Sequence, residues 1–215
     1  MAGTRNVIEM LFFDIETRAN PQTINFMEKP NAPSNYKDPE KIQAYVDKKM
    51  EEQIEKAALD ADFGQIVAIG VKEDDGEIMS WVANSSRVGD EKDALIWFWQ
   101  KLKMHTGYCC GYNIINFDLP YLMRRSFDLG IEIPFLPDLR RYSTQPTLDL
   151  MMVLYNWSGY KSLKFVAERY GLDNPLPELE GSQVENMDAE TLKLYVENDV
   201  SLVYQLYQKM NGIYF

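Results

Sequence analysis

Histidine and cysteine are scarce in this chain of 215 residues, which has one histidine, His105, and two cysteines, the adjacent Cys109 and Cys110. One histidine cannot build a zinc protease site, and neighbouring cysteines have poor geometry for an ordinary disulfide. A disulfide scaffold is excluded, there is no C-x-x-C motif, and a reducing cytoplasm is the expected compartment. The chain also lacks any apolar run of about 20 residues. Its first apolar stretch, residues 7–13, is interrupted by Glu9 and followed by Asp14, so neither export nor a membrane anchor is expected. No Walker loop and no G-x-G-x-x-G fingerprint occurs. Basic residues are outnumbered, 22 against 33 acidic ones, for a net charge of -11. That balance argues against a broad basic surface gripping nucleic acid through counterion release. A nucleic-acid enzyme remains open if its positive charge is local, or is supplied by metal ions that the acids hold.

What is present is ordinary globular material, with 46% hydrophobic and 26% charged residues, so disorder and collagen are excluded. Residues 7–16 read as a buried central strand that ends in a polar segment, 17–20, before Pro21. Residues 65–72 form a second apolar run, and Asp75-Gly76 is a hairpin signal leading into 77–83, so these two strands should pair antiparallel. Asp90 is placed to cap a helix running to Met104, with Ala94, Leu95, Phe98 and Leu102 on one stripe, and 106–112 then reads as a short strand. Residues 118–130 predict a helix with Pro120 in its first turn and Gly130 at its end. Helical spacing recurs over 148–156, 162–170 and 188–210, with Gly171 and Gly212 as stop signals. Strands first and helices afterwards point to an α/β fold, a mixed sheet with helices packed on it. There is no internal repeat and no Gly/Ser linker, so a single domain over 1–215 is expected.

Two stretches stand apart. Residues 20–62 hold Pro21, Pro30, Pro33 and Pro39, then a charged helix whose Ile42, Val46, Met50 and Ile54 make a narrow stripe. This reads as an insertion covering or flanking the core, either a solvated surface helix or a flap over a substrate groove. Residues 131–146, with three prolines and Arg140-Arg141, read as a loop without assignable chemistry. The Trp97-Phe98-Trp99 cluster, Trp81 and Trp157 read as core, and Cys109 and Cys110 as buried thiols.

Chemistry first suggests itself in Asp14-Ile15-Glu16. Residues i and i+2 of a strand share a face, so two carboxylates project together. At about 4 Å and an effective dielectric of 20 their repulsion is roughly 4 kcal/mol, which a cation would remove. Alternatively, Glu16 lies past the strand in solvent and Asp14 caps a turn. Asp118 follows at the strand-to-helix junction Tyr112-Asn113-Ile114-Ile115-Asn116-Phe117-Asp118, where an acid is also favoured as a cap. Tyr195 and Asp199, four apart on a helix, share one face and could equally be a surface pair.

Together, Phe13-Asp14-Ile15-Glu16-Thr17, the segment from Tyr112-Asn113 to Phe117-Asp118, and Tyr195 with Asp199 resemble the three exonuclease motifs of the DEDD superfamily. The likeness is greatest to the proofreading domain of family B DNA polymerases and its stand-alone relatives. A histidine-type member would carry His at position 194, where this chain has Leu; Tyr195 makes it the tyrosine (DEDDy) type. The resemblance implies a ribonuclease H-like mixed sheet flanked by helices. It also implies a 3'-to-5' exonuclease that releases nucleoside monophosphates from single-stranded or frayed DNA ends. Since the chain has no room for a polymerase module, a free-standing nuclease or a subunit working with a replication or repair protein is expected.

The implied cofactors are two Mg²⁺ ions, with Mn²⁺ able to substitute, because hard oxygen ligands suit both. By the same resemblance Asp14 bridges both ions, Glu16 and Asp199 complete the site that holds the attacking water, and Asp118 acts on the second ion. A phenol with pKa near 10 is neutral at pH 7, so Tyr195 orients that water without being the base. Thr17 is expected to contact the 3'-terminal nucleotide, and Asn113 and Phe117 the last bases, while Asn113 could instead cap a turn and Phe117 pack under the next helix. Lys161 and Lys164 lie where a phosphate could be reached, although no lysine occurs between Lys164 and Lys193, where some relatives carry one. Two other readings stay open: a non-catalytic nucleic-acid or protein-binding subunit that keeps the fold, and an RNA exonuclease.

Overall fold

The computed structural model describes residues 9–74, 76–83 and 88–215. Its frame is a run of β-branched and aromatic residues that alternates between two buried faces. Strand β1 (Leu11–Ala19) lies at the centre of a five-stranded sheet, with β2 (Gly64–Glu73) and β3 (Ile78–Val82) on one side and β4 (Cys109–Gly111) and β5 (Thr147–Asp149) on the other. β1, β2 and β3 pair antiparallel, while β1–β4 and β4–β5 are parallel. Six α-helices accompany them: α1 (Pro39–Glu55), α2 (Val88–Met104), α3 (Asp118–Asp128), α4 (Leu150–Leu154), α5 (Leu163–Tyr170) and α6 (Ala189–Met210).

Alternation along β1 sorts its side chains. Leu11, Phe13 and Ile15 pack with Leu95, Phe98 and Leu102 of α2 and Leu119 and Leu122 of α3. Phe12 points the other way, into a cluster with Met151 of α4, Val166 of α5 and Val200, Val203 and Leu206 of α6. Each fully buried side chain of this size contributes roughly 1.5–3 kcal/mol. The result is an α/β fold with a mixed sheet and helices on both faces. Asp14 and Glu16 keep step with Phe12 and so belong to the α6 face.

The expected elements shift in places for identifiable reasons. Residues 7 and 8 of the first expected strand lie outside the described residues, and the strand runs past Glu16 to Ala19. Its polar end is used: the Arg18 guanidinium donates to the carbonyls of Val184 (2.8 Å) and Met187 (2.5 Å), just before α6. α2 begins at Val88, so Asp90 sits in its first turn and does not cap it. The strand expected at 106–112 shrinks to Cys109–Gly111, because Thr106 and Gly107 turn the chain out of α2 with φ of 52° and 86°. The helix expected at 148–156 is Leu150–Leu154, preceded by the unforeseen strand β5. Three residues are too few to carry a periodic signal. The hairpin partners pair as expected, although Asp75 of the turn lies outside the described residues.

Within 20–62, Asp38 caps α1 by accepting from the Glu40 amide (3.0 Å), and Pro39 takes the first helical position. No residue of α1 is buried. The end of the segment is fastened to α3: the Tyr121 hydroxyl donates to the Ala58 carbonyl (3.1 Å) and Arg124 pairs with Asp62. The 131–146 loop is also anchored, since Ile131, Ile133, Phe135 and Leu139 pack against the core. Phe98 and Trp99 are buried, and Trp81, Trp97 and Trp157 pack at the margins of the core. Cys109 and Cys110 are free, buried thiols, and burial pushes that of Cys109 up to about 12. Among the described residues no helix is long and apolar enough to cross a membrane.

Candidate active site

Gly70 of β2 pairs with Asp14 of β1 and determines how close α6 comes to the sheet. A Cβ there would meet Val200 at 2.8 Å and Val196 at 3.1 Å. Its absence lets α6 settle onto β1, β2 and β3, with Tyr195 and Asp199 turned toward the acids of β1. An isolated glycine inside a strand pattern is the sequence signal for such an approach. Asp188 caps α6 at its start, accepting from the Thr191 amide (2.7 Å), which sets where the helix turns begin.

One carboxylate oxygen each from Asp14, Glu16 and Asp199 lies within 4.8 Å of the others. Asp14 is half-buried, while Glu16 and Asp199 are buried. Burial, then the charges of Asp118, Glu16 and Asp199, push the Asp14 carboxyl well above the ordinary carboxylate range. Glu16 is raised by burial and by Asp199 and Asp118, with Lys164 opposing. Burial raises Asp118 to about 7 against the pull of its own amide and that of Ile15. Asp199 rises to about 6 through burial, moderated by Lys164 and by hydrogen bonds from Tyr195 and Asn198. The phenol of Tyr195 donates to Asp199, and burial and the surrounding carboxylates hold it in its neutral form. Four acids from β1, α3 and α6 therefore act on one another electrostatically. Their donor set is hard oxygen, which fits Mg²⁺ or Mn²⁺.

Lys164 of α5 completes the setting. Its ammonium lies 5.4 Å from the centre of the Tyr195 ring and is buried without a hydrogen-bond partner. Lys161 is exposed, with its ammonium 5.3 Å from the Phe165 ring centre. Thr17 is buried, and its hydroxyl bonds that of Tyr121. Phe117 is half-buried beside the Tyr121 ring, with 5.4 Å between centroids. Asn113 is half-buried in a left-handed conformation (φ 66°), and its side-chain oxygen accepts from Asn116 (3.1 Å).

Three participants have no counterpart among the residues expected from sequence. Asp149 of β5 accepts from the amides of Asn113, Ile115 and Met151 (3.0 Å each) and Met152 (3.2 Å). It thereby holds both the turn that leads to Asp118 and the start of α4. Asn198 donates to Asn174 (3.2 Å) and to Asp199 (3.3 Å). Gly70 is the third.

Comparison with known proteins agrees with this fold. A family model described as "Predicted 3'-5' exonuclease related to the exonuclease domain of PolB" matches residues 57–214. That span begins after β1 and does not include Asp14 and Glu16. No curated protein matches the chain in sequence. Among solved structures, the family B DNA polymerase from the hyperthermophilic archaeon Pyrobaculum calidifontis is similar, with a TM-score of 0.63 and 22% identity. The alignment covers 94% of this chain and 24% of that one, so the chain spans about a quarter of the polymerase's length.

Proposed function

We propose, from the premise that the chain belongs to the family of predicted 3'-5' exonucleases related to the exonuclease domain of PolB, that it is a metal-dependent nuclease that removes nucleotides from the 3' end of DNA. The observation that carries this reading is the convergence of Asp14, Glu16 and Asp199 within 4.8 Å, with the carboxyl of Asp118 raised beside them. Buried like charges without cationic partners are costly, and here the cation that acts on Glu16 and Asp199 is Lys164.

Asp14, Glu16, Asp118 and Asp199 are the residues that would hold two divalent ions. Such ions supply charge neutralisation at the phosphodiester and a water acidic enough to attack at neutral pH. The water oxygen bonds to phosphorus as the P–O3' bond breaks. The departing 3'-oxygen is left as a hydroxyl after gaining a proton, and a nucleoside 5'-monophosphate is released. Tyr195, kept neutral, orients the attacking water by a hydrogen bond and does not need to remove its proton. The unpartnered ammonium of Lys164 offers donors to a non-bridging phosphate oxygen, an acceptor it lacks within the protein. Thr17, Asn113 and Phe117 border the 3'-terminal nucleotide in this reading, and Lys161 approaches the backbone from the α5 side.

The test is digestion of single-stranded and 3'-mismatched DNA with Mg²⁺ or Mn²⁺, comparing wild type with Asp14→Ala. Stepwise release of mononucleotides from the 3' end by wild type, reduced about 10³-fold or more in the variant, is expected. Equal cleavage by both proteins would contradict the reading.

A further inference from the structure

At the end of β1 opposite to Glu16 stands a second group of metal-ligand side chains. Glu9 lies just before β1, Asp74 just after β2 and His105 just after α2, and one ligand atom from each lies within 4.8 Å of the other two. The sheet register brings them together. Leu11 of β1 pairs with Glu73 of β2 and with Cys109 of β4, so the chain entering β1 runs between the end of β2 and the turn that joins α2 to β4. The Leu11 amide donates to the Tyr108 carbonyl (3.1 Å), and the Met10 amide donates to Oδ1 of Asp74 (2.9 Å). At about 3.3 Å per extended residue, Glu9 stands roughly 16 Å from Asp14, so the two groups are separate.

The histidine distinguishes this group from a patch of surface acids. His105 is the one histidine of the chain and is 7% exposed, and its Nδ1 is buried with no hydrogen-bond partner. Buried polar atoms are nearly always paired, so an orphaned ring nitrogen in a histidine set beside two carboxylates is the mark of a missing ligand. The carboxylates are short of partners too. Glu73 is paired with Lys101 (2.7 Å), whereas neither Glu9 nor Asp74 has a salt-bridge partner among the described residues. The Met10 amide orients the Asp74 carboxylate through one oxygen and leaves the lone pairs of Oδ2 for a ligand. Glu9 is exposed, so its side chain can turn to close on an ion.

We propose that Glu9, Asp74 and His105 bind one Zn²⁺ ion, which fastens the entry of β1 to the exits of β2 and α2. An imidazole nitrogen with two carboxylate oxygens is a ligand set that suits zinc, with water at the fourth position. The acids around Asp14 offer oxygen alone and suit Mg²⁺ or Mn²⁺. Mn²⁺ stands lowest in the affinity order for a site with a nitrogen ligand and zinc near its top, so the two groups sort their metals by ligand chemistry. The zinc site does not rest on the exonuclease reading.

Because the chain has a single histidine, the ring-nitrogen NMR signals of His105 report this site alone. In the untagged, isotope-labelled protein, Zn²⁺ is expected to displace those signals saturably, in wild type and in Asp14→Ala alike, while Mg²⁺ leaves them in place. Two variants spare the buried ring: Asp74→Asn keeps an oxygen for the Met10 amide, and Glu9→Gln changes an exposed position. Each should raise the Zn²⁺ concentration needed for half-displacement at least about tenfold. Zn²⁺ should also raise the Tm of Asp14→Ala and leave that of Asp14→Ala/Glu9→Gln/Asp74→Asn unchanged. Ring signals that stay fixed as Zn²⁺ is added would overturn the proposal. So would signals that move equally with and without the two carboxylates, which would mark binding to the imidazole alone. Absence of cleavage by wild type would overturn the exonuclease reading instead, so the two failures are distinguishable.

Discussion

Glu91, on α2 and paired with Arg125 of α3, and Asp118, at the site, are equally buried, each 3% exposed. Their surroundings answer that burial in opposite ways. Glu91 accepts two hydrogen bonds from Arg125, at 2.8 and 2.9 Å, and a third from the Ile66 amide at 2.9 Å. Asp149 is likewise satisfied, by four backbone amides. Asp118 has amide donors, yet all four carboxyls are raised by burial, those of Asp14 and Glu16 also by the other acids of the site, Asp118 included, and that of Asp118 by Asp149. A structural acid finds its partners within the chain. The acids at the site are short of positive charge, the condition in which a divalent cation binds well.

The largest effect that would sharpen this contrast comes from removing a satisfied acid. Glu91→Ala leaves Arg125 buried without its main partner, and urea unfolding should show a loss of about 3–5 kcal/mol. Asp199→Asn should not destabilise the metal-free protein, since it removes a repelling charge. A comparable loss from Asp199→Asn would break the comparison.

A smaller effect concerns pH. The Asp118 and Asp199 carboxyls, raised to about 7 and about 6 in the fold, keep protons that the unfolded chain releases near 4. Their stabilising contribution is complete below about pH 4 and disappears as pH rises through 6 to 7. In chelator, the Tm of wild type should therefore fall between pH 5 and pH 8 more steeply than that of Asp118→Asn. Added Mn²⁺ should restore Tm mainly at the upper end. Parallel profiles for the two proteins would contradict the assignment. Tyr195→Phe should have the smallest effect, slowing cleavage about tenfold, or about 1.4 kcal/mol, since only the orientation of a water is lost. Full activity in that variant would exclude the role given to the phenol.

The same contrast explains what could be read from sequence. Long periodic elements were legible: β2, α3, α5 and α6 follow their apolar spacing, and Ser162 and Asp188 stand as the caps of α5 and α6. Spacing pairs Asp14 with Glu16 on a strand face and Tyr195 with Asp199 on a helix face, and the resemblance to the exonuclease motifs is what joined these pairs to each other and to Asp118. Asp149 was not, because a lone acid inside the apolar run 148–156 gives no hint that four amides surround it. Lys164 stood beside Lys161 as a candidate phosphate contact, and the packing of α5 beside α6 is what brings its ammonium over the Tyr195 ring. Gly70 did carry a signal, an isolated glycine within a strand, whose meaning depends on α6 lying above it.

Calorimetric titration of the metal-free protein with Mn²⁺ at pH 7.5 tests the central claim most directly. Wild type should give heat from binding that disappears in both Asp14→Ala and Asp199→Asn and persists in Glu91→Gln. Heat that survives the first two substitutions, or that wild type never produces, would show that these acids do not form a cation site.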